Sequence, residues 1–192
     1  NKYINSYLYN LVIIKMNNGK ISLILGPMYS GKSTTLLSRY RRYQFGNKKC
    51  LLVKYLNDDR YDKNSIVTHD NVKYEAKSCR LLYDIDDVVK NYDVICIDEI
   101  QFYKDAAQFC DKWANEGIIV EACGLNGDYK REPFDQISLL IPKSDEISHI
   151  TAIDEKNGKN APFTKRISND KGQEVIGGKD KYRATSRKNF YL

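Results

Sequence analysis

The sequence lacks any C-x-x-C pair, and it lacks an apolar run long enough to cross a membrane. A membrane-spanning helix needs about 18 or more consecutive apolar residues. The five cysteines are odd in number and mostly lie within apolar runs, which favours buried free thiols in a reducing compartment over a disulfide framework. We therefore expect a cytoplasmic protein with no membrane partner. The cysteines are Cys50, Cys79, Cys96, Cys110 and Cys123.

A small-residue cleavage site is missing from the half-apolar segment at residues 1–15, so a signal peptide is not predicted. Met16 follows this segment directly. We interpret Met16 as a natural start and residues 1–15 as an upstream extension that takes no part in the function.

Neither sign of charge is scarce: 31 Lys and Arg stand against 25 Asp and Glu, for a net charge of +6. This excess suits an anionic ligand, although a solvated basic face is its commoner meaning. We predict no nucleic-acid partner. A length of 192 residues indicates one domain with room for a small appendage.

The stretch Gly26–Ser33 reads G-x-x-x-x-G-K-S, the pattern of a phosphate-binding loop. An apolar run precedes it and a helical segment follows, so a chance match in a turn is the weaker explanation. Backbone N–H groups would curl around phosphate oxygens, Lys32 would reach the terminal phosphates, and the Ser33 hydroxyl would bind Mg²⁺. The predicted ATP-binding residues are Gly26, Pro27, Met28, Tyr29, Ser30, Gly31, Lys32 and Ser33.

Apolar strands alternate with helical segments over residues 16–153. This alternation, together with the phosphate-binding loop, predicts an α/β fold of the P-loop, RecA-like type, whose sheet is doubly wound and mostly parallel. The predicted strands are Lys20–Leu25, Cys50–Tyr55, Val94–Ile97, Ile118–Cys123 and Ser148–Ile153, with a short strand or irregular structure over Val72–Ala76. The predicted helices are Lys32–Phe45, Leu81–Val89, Gln101–Glu116 and Gln136–Ile141.

The pattern changes at residues 154–192, which we predict to be a small separate domain. Asn157-Gly158 is a hairpin signal. Gly172, Gly177 and Gly178 interrupt a polar, basic stretch that we interpret as a long mobile loop.

Asp98 and Glu99 directly follow the apolar run Val94–Ile97. P-loop enzymes deliver a carboxylate at the end of such a strand, beside the phosphate-binding loop. An acidic pair also starts helices favourably, so the pair means little alone. Combined with the upstream loop, it predicts one carboxylate on Mg²⁺ and one that accepts a proton.

Several motifs together resemble the type II thymidine kinases, most closely their poxvirus and animal branch. The resemblance runs from Met16 to the C-terminus. It implies transfer of the ATP γ-phosphate to the 5′-hydroxyl of thymidine, a step of nucleotide salvage for DNA synthesis. The motifs are Gly26–Thr34, Lys54-Tyr55, Asp58-x-Arg60-Tyr61, Thr68-His69-Asp70, Ile97-Asp98-Glu99-x-Gln101-Phe102 and Ile176-Gly177-Gly178-x-Asp180-x-Tyr182.

The resemblance implies that Glu99 is the general base, that Asp98 helps to place Mg²⁺, and that Arg60 steadies phosphate charge. For Asp58 a turn-forming role is equally open. A lone histidine in a polar loop, such as His69, is usually a surface or hydrogen-bonding residue. We assign it no catalytic role.

The resemblance also implies a loop, here called the lasso (Phe163–Tyr182), that wraps the nucleoside, and an aromatic ring at Tyr129 that stacks on the base. Packing is the alternative role for this tyrosine. The implied nucleoside-binding residues are Tyr129, Phe163, Val175, Ile176, Gly177 and Tyr182.

The chain departs from the family at four positions where its nearest members carry zinc-binding cysteines. Amides and hydroxyls are poor zinc ligands, so we predict no structural zinc. A tightened hairpin at Asn157-Gly158 and packing of Phe190 and Tyr191 are the substitutes that we consider. The four positions are Asp154, Asn157, Ser186 and Asn189.

Two further departures lie nearer the predicted site. Ile100 stands where the family usually has glycine, and a β-branched side chain there would restrict a backbone that required positive φ. Asn126 stands where an acidic residue is common. Neither change removes a group that the chemistry requires.

The resemblance further implies a homotetramer and feedback inhibition by thymidine triphosphate. Two other functions compete with an Mg·ATP-dependent thymidine kinase. One is a nucleoside-binding or regulatory protein without turnover, and the other is a DNA-stimulated ATPase of the RecA-like class.

Overall fold

The computed structural model describes residues 19–56, 65–67, 73–173, 175 and 177–191. The predictions made for residues 1–15, Asp58, Arg60, His69 and Ile176 lie outside this part of the chain. Among the helices that the described ranges contain, none combines the length and apolarity needed to cross a bilayer.

A six-stranded sheet forms the centre of the described structure, in the order β5-β2-β6-β7-β1-β8. All five neighbouring pairs in it are parallel. The α/β class with a mostly parallel sheet is therefore confirmed. The strands are β1 (Lys20–Gly26), β2 (Cys50–Tyr55), β5 (Lys77–Cys79), β6 (Val94–Ile97), β7 (Ile119–Leu125) and β8 (Glu146–His149), while β3 (Ser65–Val67) and β4 (Lys73–Glu75) form a separate antiparallel pair.

Helices connect these strands and cover both faces of the sheet, as parallel crossovers require. The helices are α1 (Lys32–Phe45), α2 (Asp86–Val89), α3 (Ala106–Asn115) and α4 (Asp135–Leu140), with 3₁₀ turns at Leu82–Ile85, Ile100–Phe102 and Ile141–Lys143.

The core divides into two layers because successive strand residues point to opposite faces of the sheet. On β6, Ile95 and Ile97 pack in the layer that holds Trp113 of α3. Val94 and Cys96 of the same strand pack in the layer that holds Leu36 and Leu37 of α1, and that layer also contains Ile24. A continuous apolar run in the sequence thus reflects burial on two sides.

Two predicted elements differ from the structure. The strand predicted over Ser148–Ile153 is two strands, β8 in the central sheet and β9 (Ala152–Ile153) in a small antiparallel pair. The helix predicted over Gln101–Glu116 is interrupted before Ala106. Asp105 supplies a physical reason, because its carboxylate accepts the backbone N–H groups of Leu82 and Tyr83 and ties the start of α3 to another segment.

The C-terminal appendage consists of two short antiparallel pairs. β9 pairs with β10 (Asn160–Ala161) across the turn that Asn157-Gly158 predicts, and Gly158 has φ 67°. β11 (Phe163–Arg166) pairs with β12 (Tyr182–Thr185), and residues 167–181 connect them. The segment predicted to be the lasso, Phe163–Tyr182, comprises β11, this connection and the first residue of β12.

A buried ion pair joins α1 to the sheet. Glu121 of β7 is 1% exposed, and its carboxylate accepts hydrogen bonds from the Arg39 guanidinium at 2.8 Å and the Tyr43 hydroxyl at 2.9 Å. Burial and the Glu121 carboxylate raise the pKa of Tyr43 well above its usual range, so its phenol stays protonated and donates. Arg39 also donates to Ser148 of β8. The pair therefore links three elements.

Arg39→Met should lower the free energy of unfolding by about 3 kcal/mol, because it leaves a buried carboxylate without its cation. Urea unfolding of both variants at one protein concentration measures this. Arg42→Met is the matched control, since Arg42 is exposed on the same helix and its loss should cost less than about 0.5 kcal/mol. Equal, small losses for both variants would contradict the prediction.

Candidate active site

The loop between β1 and α1 adopts the sharp turn that a phosphate-binding loop needs. Gly31 has φ 81° directly before the helix, and Tyr29 has φ 65°. A Cβ on Gly26 would lie 2.4 Å from the Ile150 carbonyl oxygen, so only glycine fits where β1 ends. The N-terminus of α1, a fourteen-residue helix, opens at this loop and favours negative charge.

Lys32 is held at the centre of the loop. Its side chain is only 8% exposed, and Nζ donates to the Pro27 carbonyl oxygen at 2.7 Å. Ser30 Oγ donates to the same oxygen at 2.9 Å. The loop therefore positions a cationic group among its own backbone atoms.

The predicted metal-binding pair meets between two elements that are 65 residues apart in sequence. Ser33 Oγ donates to Asp98 Oδ1 at 3.0 Å, and Asp98 is 7% exposed. A hydroxyl and a carboxylate oxygen are ligands that Mg²⁺ prefers, and they lie beside the phosphate-binding loop. These residues fit a magnesium site.

Cys123 of β7 adds a contact to this pair that sequence reasoning missed. Its Sγ donates to Asp98 Oδ1 at 2.9 Å. Burial, together with the Asp98 carboxylate, raises the pKa of the Cys123 thiol well above its usual range, so the thiol stays protonated. Cys123 is the last residue of the predicted strand Ile118–Cys123, and no signal in the sequence distinguishes it from a core cysteine.

Glu99 is held by its backbone and by a side chain two residues away. Its φ is 53°, in the left-handed region, which a glutamate rarely adopts. Gln101 Nε2 donates to Glu99 Oε2 at 2.7 Å, and Gln101 Oε1 accepts the Leu125 N–H at 3.1 Å. Gln101 is 4% exposed, so its amide is fixed by the end of β7 and in turn orients the Glu99 carboxylate.

The departure at Ile100 does not strain this turn. The left-handed residue is Glu99, and Ile100 is absent from the positive-φ residues of the described backbone. Ile100 is fully buried in the core. Asn126, the other departure, places its amide 3.3 Å from the Pro162 carbonyl oxygen and 3.3 Å from His149 Nε2.

The appendage contacts the phosphate-binding loop directly. The Met28 N–H donates to Thr164 Oγ1 of β11 at 3.0 Å, and the Tyr29 hydroxyl donates to the Tyr182 carbonyl oxygen of β12 at 3.3 Å. The two strands that carry the lasso are thus attached to the loop that would hold phosphates.

Arg166 organises the lasso. It donates to three backbone carbonyl oxygens, those of Asp170, Gly172 and Gln173, and to the Tyr182 hydroxyl at 2.7 Å. The Tyr182 hydroxyl in turn donates to the Val175 carbonyl oxygen at 2.7 Å.

The Arg166 guanidinium also lies over the Tyr129 ring, 3.7 Å from its centroid. Three of the residues implied for the nucleoside, Tyr129, Val175 and Tyr182, therefore gather around one arginine that sequence reasoning missed.

Phe163 faces another way. Strand alternation puts Thr164 and Arg166 on the side of β11 that meets the loop and Tyr129, and Phe163 on the other side. There Phe163 packs against Phe190 at 5.7 Å between ring centroids, and the guanidinium of Arg131 lies 5.4 Å from its ring. The period-two pattern of β11 is the signal that could have identified Thr164 and Arg166 in advance.

Comparison with known proteins agrees with this geometry. A family model described as thymidine kinase matches residues 19–190. The thymidine kinase of sheeppox virus (strain KS-1) is 45% identical over 177 residues, 92% of this chain and 99% of that protein. The thymidine kinase of vaccinia virus (strain Western Reserve) is 44% identical, covering 90% of this chain and 97% of that protein. Thymidine kinase 1 of Dictyostelium discoideum is 43% identical, covering 92% and 79%. This chain belongs to the thymidine kinase family.

Proposed function

We propose that this protein transfers the γ-phosphate of ATP to the 5′-hydroxyl of thymidine and so forms thymidine monophosphate. The observation that carries the proposal is the meeting of three parts at one place. Ser33 of the phosphate-binding loop bonds to Asp98, Glu99 follows directly, and the lasso strands attach to the same loop through Met28 and Tyr29.

The phosphate side of the reaction falls to the loop Gly26–Ser33. Its backbone N–H groups and the N-terminus of α1 would accept the phosphate oxygens, and Lys32 would move from the Pro27 carbonyl oxygen onto the terminal phosphates. Arg60, which lies outside the described residues, is proposed to balance phosphate charge. Phosphoryl transfer depends mainly on such positioning and electrostatic stabilisation.

Ser33 and Asp98 would hold Mg²⁺, which supplies charge neutralisation between the phosphates when bound. Their oxygens lie 3.0 Å apart. The Cys123 thiol and the Glu99 N–H donate to the same Asp98 oxygen and so orient the carboxylate.

Glu99 would take the proton of the 5′-hydroxyl as the phosphoryl group is transferred. Glu99 directly follows Asp98, which is proposed to bind the metal, and Gln101 donates a hydrogen bond to Glu99 Oε2. Glu99 is thus proposed as the general base and Gln101 as a residue that positions it.

The nucleoside is proposed to bind between Tyr129 and the lasso. Tyr129 would stack on the thymine ring, and Val175, Gly177 and Tyr182 would surround it, with Ile176 outside the described residues. Arg166 lies over the Tyr129 ring at 3.7 Å, so a stacking base would meet or displace this guanidinium. Phe163 lies on the opposite face of β11, where its packing against Phe190 would support the strand.

The family resemblance extends the proposal in three respects. We propose a homotetramer, feedback inhibition by thymidine triphosphate, and no nucleic-acid partner. The division into an α/β domain of residues 16–153 and a lasso-bearing domain of residues 154–192 is also proposed.

The deciding experiment is ATP-to-nucleoside phosphate transfer with thymidine, deoxycytidine and no acceptor in parallel reactions. We expect thymidine monophosphate with thymidine alone. Tight thymidine binding without transfer would favour a nucleoside-binding protein. ATP hydrolysis that rises with added DNA and ignores thymidine would favour a DNA-stimulated ATPase.

Glu99→Gln should lower kcat about 10²- to 10⁴-fold, because an amide cannot accept the 5′-hydroxyl proton. Binding of ATP and thymidine, measured by calorimetry, should change little. Glu116→Gln, at an exposed position at the end of α3, is the control and should keep full activity. Near-normal turnover in Glu99→Gln would place the base elsewhere.

Gln101→Met should lower kcat about 10-fold or more while the KM values for ATP and thymidine stay close to those of the parent, because Glu99 loses the donor that orients it. Steady-state kinetics with ATP and with thymidine measure kcat and both KM values separately. Gln108→Met, an identical change at an exposed position of α3, is the control. A rise in KM without a fall in kcat would show that Gln101 acts on binding instead.

A further inference from the structure

Asp154 follows β9 and is a buried carboxylate, only 2% exposed. Five hydrogen-bond donors point at its two oxygens. Lys156 N–H donates to Oδ1 at 3.0 Å, and the Ser186 N–H and Ser186 hydroxyl donate to Oδ2 at 2.8 and 2.6 Å. The amides of Asn189 and Asn157 approach the same Oδ2 at 2.9 and 3.4 Å.

These donors come from separate parts of the appendage. Lys156 and Asn157 lie in the β9–β10 turn. Ser186 and Asn189 lie in the C-terminal turn that follows β12, 32 and 35 residues beyond Asp154. Asn157 and Ser186 are also joined to each other at 3.1 Å. One carboxylate therefore fastens the two ends of the appendage together.

The donors also keep the carboxylate charged. Hydrogen bonds from the Ser186 hydroxyl and N–H hold the pKa of Asp154 well below its usual range, against the opposing effect of burial. Within the described residues, no basic side chain forms an ion pair with Asp154. Neutral donors alone satisfy this buried charge, and charge-assisted hydrogen bonds are the stronger kind.

These four side chains occupy the positions at which the family resemblance implies zinc. They do not fit the metal, because two amides and a hydroxyl donate protons toward Asp154 where thiolates would donate electron pairs. In the described residues no group of three or more His, Cys, Asp or Glu side chains could hold a metal ion.

We propose that Asp154 is a metal-free polar staple that closes the appendage and positions the lasso. The side chains of Asn157, Ser186 and Asn189 converge on a single atom, Asp154 Oδ2, as metal ligands converge on an ion. The anion at the centre draws in donors, in the same way that a cation draws in acceptors.

The staple reaches the lasso through one short strand. Ser186 directly follows β12, and Tyr182 at the start of β12 binds Val175, Arg166 and the phosphate-binding loop. A loosened Ser186 would release the C-terminal end of the lasso. Asp154 is therefore a positioning residue, and this kinetic part of the inference rests on the proposed function.

Arg131 holds the opposite side of the C-terminal turn. This residue of the β7–α4 loop has φ 69° and places its guanidinium over Phe163, Phe190 and Tyr191, 4.6 Å from the Phe190 centroid. Its Nη2 also donates to the Tyr191 hydroxyl. The staple closes the appendage on itself, and this cluster attaches it to the α/β domain.

Asp154→Asn tests the staple with a change that keeps the size and shape of the side chain. The NH₂ group of asparagine cannot accept a hydrogen bond, so the donors on one side of Asp154 lose their acceptor. We expect a fall in Tm of about 5 °C and faster protease cleavage within residues 167–181. The KM for thymidine should rise about 10-fold while the KM for ATP stays unchanged. Glu155→Gln, the same change at the exposed neighbour, should match the parent in every measurement.

A second measurement tests the absence of metal. The parent protein should contain far less than one zinc per chain, and EDTA should leave its Tm unchanged. Stoichiometric zinc, or unfolding on chelation, would overturn the proposal, as would an Asp154→Asn variant with the Tm and proteolysis of the parent. The stability, cleavage and zinc measurements need no turnover, so they stand even where thymidine phosphorylation fails.

The convergence itself is tested by combining Asp154→Cys, Asn157→Cys, Ser186→Cys and Asn189→Cys in one chain. Four thiolates at these positions should bind one zinc per chain and recover the Tm lost in Asp154→Asn, because the side chains already meet at one point. EDTA should then lower the Tm of this variant alone. Failure to bind zinc would show that the four positions do not converge as proposed.

Discussion

The hydrogen bond between Ser33 and Asp98, like the rest of the site, depends on the parallel arrangement of the central strands. In a parallel sheet the carboxyl ends of all strands lie at one edge. β1 and β6 flank β7 in the sheet, so the loop after β1 and the acidic pair after β6 must face the same space. Ser33 Oγ and Asp98 Oδ1 meet there at 3.0 Å, and Cys123 reaches the same oxygen from the end of β7. The meeting of Ser33, Asp98 and Cys123 is thus a consequence of strand order.

The lasso depends on contacts that the central sheet does not supply. Its two strands are short, and a two-stranded pair is marginally stable by itself. Three interactions compensate: Thr164 and Tyr182 attach the strands to the phosphate-binding loop, Arg131 packs among the aromatic rings, and Asp154 joins the two ends of the appendage. The two strands of the lasso are therefore attached at their base to the phosphate-binding loop and at their far end to the C-terminal turn.

Local sequence patterns were sufficient to predict elements whose limits are marked by nearby residues. Helix Lys32–Phe45 and strand Val94–Ile97 begin and end where the sequence places them, because a glycine turn and buried apolar runs mark their limits. The predicted strand Ser148–Ile153 was wrong, since a run of strand-forming residues does not show where the chain leaves one sheet for another. The break before Ala106 was also missed, because it depends on Asp105 binding a segment more than twenty residues away.

The fold class, the phosphate-binding motif, the acidic pair and the family are predictable from the sequence, because the spacing of neighbouring residues carries their physical requirements. The residues that hold those groups in place become visible in the folded chain. Gln101 fixes Glu99 through the end of β7, Arg166 gathers Tyr129 and Tyr182, and donors from two turns meet at Asp154. These contacts join residues far apart along the chain, and no local pattern encodes a partner that only folding brings near.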